Sequence, residues 1–108
     1  MKTLDELYTV LTGTHLPVAY GFFEEGEGVS LPCITYQVAY SGNFGAENRV
    51  YKKLENVDIF LFTKTKDPAT EYILESALNA ADIFWQVTET YLSDQKCIQR
   101  IYEVQTYG

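Results

Sequence analysis

The chain has 108 residues, the length of one domain, so the whole of 1–108 is read as a single unit. Its 46% hydrophobic and 21% charged content excludes a disordered tail, a fibrous repeat and a low-complexity linker, and no apolar run approaches the ~20 residues of a membrane-spanning helix. A net charge of −7 argues against a nucleic-acid-binding protein, whose footprint is a basic face.

The charge is unevenly distributed. Residues 1–48 hold one base against six acids, residues 49–66 hold five bases (Arg49, Lys52, Lys53, Lys64, Lys66) against Glu55 and Asp58, and residues 67–108 hold two bases against seven acids. Acidic blocks flanking a basic one suit contacts between copies of a chain. Solubility alone also accounts for net acidity. Asp5 and Glu6 interrupt the place where the apolar stretch of a signal peptide would lie, so a cytosol is the expected compartment. Cys33 and Cys97 stand 64 positions apart and are read as free, buried thiols.

Thr3-Leu4-Asp5-Glu6 predicts a capping box, in which the Thr3 hydroxyl and the Glu6 carboxylate each accept from the other's backbone N–H. Leu4, Leu7, Tyr8 and Leu11 follow at helical spacing, and Gly13 supplies a stop. Residues 15–21 read as a connector and residues 22–28 as a loop. Residues 31–40 alternate as a strand, with Ile34, Tyr36, Val38 and Tyr40 on one face. A turn region follows at 41–48, then a strand over 50–63 with Asn56 at a bend and its apolar run central in the sheet. Asp67 caps a second helix with Pro68 at its first position, and Ile73, Leu74, Ala77, Leu78 and Ala81 form the stripe. Residues 84–92 and 96–106 close the chain as a hairpin. The order α-β-β-α-β-β predicts an α+β domain, a four-stranded antiparallel sheet with two helices packed on one face.

Chemistry-bearing patterns are scarce. His15 is the lone histidine, and neither cysteine has a partner at zinc-site spacing. Cys33 sits inside a strand beside Pro32, with no basic neighbour to activate it as a nucleophile toward His15. Gly26-Glu27-Gly28 lacks the rest of a dinucleotide or phosphate loop, and Glu24, Glu25 and Glu27 match no calcium loop. No catalytic residue, cofactor or metal is expected, and no small-molecule substrate.

Read along its full length, the chain resembles the small tail-completion, tail-terminator and head–tail joining proteins of long-tailed bacteriophages and prophages. The residues that carry the resemblance begin with the amphipathic opening helix and Leu16-Pro17-Val18-Ala19-Tyr20, with a phenylalanine soon after. They continue through Leu31-Pro32-Cys33-Ile34-Thr35-Tyr36 and Asn43-Phe44-Gly45-Ala46-Glu47-Asn48, where Glu47 replaces the usual Asp and Cys33 the usual aromatic. Asp58-Ile59-Phe60-Leu61-Phe62-Thr63-Lys64 leading into Lys66-Asp67 is similar too, as are Glu89-Thr90-Tyr91-Leu92 and Ile101-Tyr102-Glu103-Val104. The resemblance implies a non-enzymatic virion structural protein, made in the bacterial host cytoplasm. It also implies a ring, commonly hexameric, at the head-proximal end of the tail, contacting neighbouring tail or head-completion proteins while DNA passes without specific binding. An acidic protein-binding module or regulator of a bacterial cytosol is the alternative from a different class. A small hydrolase, which would require His15 close to Cys33 or Ser30, is the third.

Partner contacts are expected in the two polar, glycine-rich segments. Glu24, Glu25 and Glu27 lie in the first, while Asn43, Phe44, Glu47 and Arg49 lie in or beside the second. Phe44, between Gly42 and Gly45, is the expected anchor, whereas Phe22 and Phe23 are expected to fold back onto the domain edge.

Overall fold

A computed structural model describes residues 2–23, 30–41 and 54–107. Along the chain run α1 (Leu4–Thr12), β1 (Val18–Tyr20), β2 (Cys33–Ser41), β3 (Leu54–Thr63), α2 (Pro68–Ala80), β4 (Gln86–Leu92) and β5 (Cys97–Tyr107). The class is α+β, as expected. The sheet, however, is five-stranded and mixed rather than four-stranded and antiparallel, with spatial order β1-β2-β3-β5-β4. The extra strand lies in what reads as a connector: Val18, Ala19 and Tyr20 pair in parallel with Ile34, Thr35 and Tyr36. Three residues are too few to show alternation against a neighbouring proline, which is why the sequence hides this strand.

The helix ends follow from side-chain chemistry. The Thr3 hydroxyl accepts from the Glu6 backbone N–H at 3.2 Å, and the Thr3 N–H donates to Glu6 Oε1 at 2.9 Å. At the other end Gly13 is right-handed (φ −64°), and the left-handed turn falls instead on His15 (φ 65°). Asp67 accepts from the Thr70 backbone N–H at 3.2 Å and from its hydroxyl at 2.6 Å, which starts α2 with Pro68.

β3 is the middle strand, antiparallel to β2 on one side and β5 on the other. Its alternation puts Val57, Ile59 and Leu61 on the face that both helices cover. Those three join Ile34, Tyr36, Tyr102 and Val104 with Leu7 and Leu11 of α1 and Leu74 and Leu78 of α2 in one core. Ile73 of the expected α2 stripe is 45% exposed; Thr70 and Glu71 are buried in its stead. Asn56 makes no bend. The irregularity is a bulge in β2 opposite it, where the register slips between Val38 and Tyr40.

The two sheet edges differ. β4 pairs with β5 without interruption from Gln86 to Leu92. β1 ends at Tyr20, Gly21 follows with φ 79°, and the next backbone N–H of β2 on that side, Val38, donates to the Tyr20 hydroxyl at 3.2 Å.

Candidate functional site

All seven residues expected to touch partners (Glu24, Glu25, Glu27, Asn43, Phe44, Glu47 and Arg49) lie outside the described residues. What can be described is the frame that carries them: the first segment follows Phe23, three residues past the end of β1, and the second joins Ser41 of β2 to Leu54 of β3. Phe22, expected to fold back, is 73% exposed.

The nucleophile candidates are placed as follows. Cys33 and Cys97 are both free and buried. Burial pushes the Cys33 thiol up from its ordinary value, with the nearby Cys97 adding to it, which opposes thiolate formation. His15 is exposed on its left-handed turn. Among the described residues no three His, Cys, Asp or Glu side chains converge as a metal site would. No helix among them is long and apolar enough to cross a membrane.

Three features rise above the background surface. The first is an ion network between the start of α2 and the β4–β5 hairpin. Arg100 donates to Glu89 Oε1 at 2.6 Å, to Glu75 Oε2 at 3.0 Å and to the Tyr102 hydroxyl at 3.0 Å, and lies 3.6 Å from Glu71. Tyr102 in turn donates to Glu75 at 2.7 Å, and Lys66 holds Glu89 at 2.8 Å and Glu71 at 3.0 Å. Burial raises the Tyr102 hydroxyl's pKa, so it stays a donor. Every ionic member is engaged with another, which makes this a clamp of helix to sheet rather than an open reactive centre. The sequence signal for it was available: Arg100 and Tyr102 alternate with Val104 on the core face of β5, so the arginine must point inward.

The second feature is an aromatic edge. Tyr20 packs edge-on against Tyr36 at 5.1 Å between ring centroids, Tyr8 tilts against Tyr36 at 6.2 Å, and Phe22, two residues past Tyr20, is exposed.

The third is the sheet face opposite the helices. It carries Phe60 and Phe62, stacked at 6.3 Å, and Ile101 directly across from Phe60. The next row sets Asp58 of β3 directly opposite Glu103 of β5. Burial, then the adjacent Glu103, pushes the Asp58 carboxyl above its ordinary value. Alongside opens a groove of about 460 Å³ whose lining includes Asp82, Phe84, Gln86, Glu103 and Gln105. Phe84 is 78% exposed at its rim.

No protein-family model matches the chain, and no curated protein matches it.

Proposed function

We propose that this chain is a structural subunit of a phage or prophage virion, forming a ring at the head-proximal end of the tail as a terminator or head–tail joining protein. The observation that carries the reading is the ordered run of motifs from Leu16-Pro17-Val18-Ala19-Tyr20 through Ile101-Tyr102-Glu103-Val104, spread over nearly the full length. The surface supports it. Tyr8, Tyr20, Phe22, Tyr72, Phe84 and Tyr91 are all large apolar side chains exposed to solvent, a distribution that suits a subunit covered by neighbours. A closing ring needs heterologous interfaces, in which two different patches of one subunit meet. The aromatic edge beside β1 and the sheet face opposite the helices, which no described element crosses, are such dissimilar patches.

Electron microscopy of the purified protein, alone and mixed with tail tubes that lack a terminator, tests the proposal. Rings in either sample, seated at one tube end in the second, are expected. A monomer that leaves the tube ends bare overturns it.

A further inference from the structure

β5 outruns its outer neighbour. β4 begins at Gln86, opposite Glu103, whereas β5 continues for four more residues to Tyr107. Successive residues of an antiparallel strand turn their backbone groups to alternate sides. The Tyr107 N–H donates to the Lys2 carbonyl at 2.9 Å, away from β3, so Gln105, two residues earlier, turns its N–H and C=O to that same side. Among the described residues no backbone group pairs with Gln105 there. Phe84 would stand opposite it if β4 began two residues sooner. The Ile83 N–H instead donates to the Leu78 carbonyl at 2.9 Å, which holds the approaching chain against the end of α2. The stretch of β5 from Glu103 to Tyr107, roughly 13 Å long, thus has a strand's worth of room beside it, and the groove of about 460 Å³ opens at this gap.

We infer that the gap is a docking slot for a short extended segment of another protein, one that carries a lysine or arginine and adds to β5 in line with β4. Open sheet edges hold extended peptides through main-chain hydrogen bonds, and the Gln105 N–H and C=O are placed to make them. Charge selects the occupant. Asp82 and Glu103 both line the groove, and among the described residues no cation pairs with either. A residue set opposite Gln105 turns its side chain to the face that carries Glu103, at a diagonal distance a long basic side chain spans. Phe84, 78% exposed, offers apolar area to the residues on either side of it. A second copy fits poorly. It brings a net charge of −7, and its Lys66 and Arg100 are engaged with its own Glu71, Glu75 and Glu89.

Amide hydrogen exchange followed by NMR tests this, with the acetylated, amidated pentapeptide Thr-Val-Lys-Val-Thr as the probe and Thr-Val-Glu-Val-Thr as its acidic counterpart. In the free protein the Gln105 amide should exchange faster than those of Val104 and Thr106, which turn to β3. Millimolar basic peptide should slow Gln105 and shift the resonances of Phe84, Gln86 and Glu103, and the acidic peptide should do neither. The double variant Asp82→Asn/Glu103→Gln should bind the basic peptide about fivefold or more weakly. Asparagine suits the left-handed backbone at Asp82 (φ 57°) and Glu103 is exposed, so the fold should survive, as circular dichroism melts will show. A Gln105 amide as slow as its neighbours in the free protein would sink the slot, and so would one that the basic peptide leaves unchanged. Equal binding of both peptides, or of the basic peptide by the double variant, would overturn the basic occupant. Protection that grows with protein concentration alone would overturn it too, in favour of a second copy. The slot belongs to the single subunit, so peptide binding and ring formation succeed or fail separately.

Discussion

Arg100→Met offers the sharpest test of how α2 is held to the sheet. The side chain is 13% exposed and is the partner shared by Glu75, Glu89 and the Tyr102 hydroxyl, with Glu71 at 3.6 Å. Methionine fills part of the volume and removes every donor, leaving Glu75 without its cation and Glu71 and Glu89 with Lys66 alone. Breaking a fully buried pair from one side costs about 3–5 kcal/mol. The outer half of this network is wet, with Lys66 52% and Glu89 36% exposed, and pairs of that kind contribute little. The loss should therefore fall near the lower bound, about 3 kcal/mol, which for a chain of this size lowers the melting temperature by roughly 12 °C. Urea unfolding followed by Trp85 fluorescence reports it directly, since Trp85 stacks edge-on against Tyr102 at 5.4 Å. Adding Glu75→Gln to Arg100→Met should recover about 1 kcal/mol, because the abandoned charge is then gone. A loss below about 1 kcal/mol for Arg100→Met would refute the reasoning and show the network to be surface decoration.

Three more outcomes follow from the packing and the titrating groups. Leu78→Ala, at a side chain with no exposure, should cost about 2–5 kcal/mol in the same unfolding assay. Thr106→Val should stabilise by about 1 kcal/mol, since the Thr106 hydroxyl is fully buried and has no hydrogen-bond partner. The Glu6, Asp67 and Glu89 carboxyls are held below their ordinary values by hydrogen bonds from Thr3, from Thr70, and from Lys66 and Arg100 respectively. Their stabilisation is complete above the unfolded carboxylate range and is lost as pH falls through the lowered folded values, so urea midpoints should drop below about pH 4. Asp58 runs the other way: its raised pKa makes protonation favour the fold. Asp58→Asn should therefore steepen the acid loss, and an unchanged slope would show that neither burial nor Glu103 raises the Asp58 pKa in the fold.

What the sequence made legible was whatever rests on local chemistry or strict periodicity. Thr3 with Glu6, Asp67 with Pro68, the alternation of Ile34 and Tyr36, and the central place of the run 57–62 all appear in the fold as read. β1 was not legible because its identity comes from a partner: three residues become a strand only when β2 lies beside them. Ile73 and Glu71 exchanged roles for a similar reason. Apolarity suggested that Ile73 is buried, but the position of Arg100 on the neighbouring strand decides which side of α2 turns inward, and it makes burial of a carboxylate tolerable. Of the candidate site, the residues chosen for glycine-rich surroundings lie outside the described residues. The pairing of Asp58 with Glu103 depends on a register between strands 45 positions apart, which no local pattern encodes.

The capping of Val38 by the Tyr20 hydroxyl has a consequence for solubility. Ribbon growth by strand addition needs two open edges on every copy, one to donate and one to accept. Here the β1 side offers only three residues before Gly21 turns the chain away, and the amide exposed beyond them is occupied by a phenol. A strand added at β4 finds a straight, uninterrupted partner, but the copy that brings it has no matching place to receive the next. Among the described residues edge-to-edge pairing therefore stops at two copies, and these two edges resist fibril formation by strand addition even though neither β1 nor β4 carries a proline.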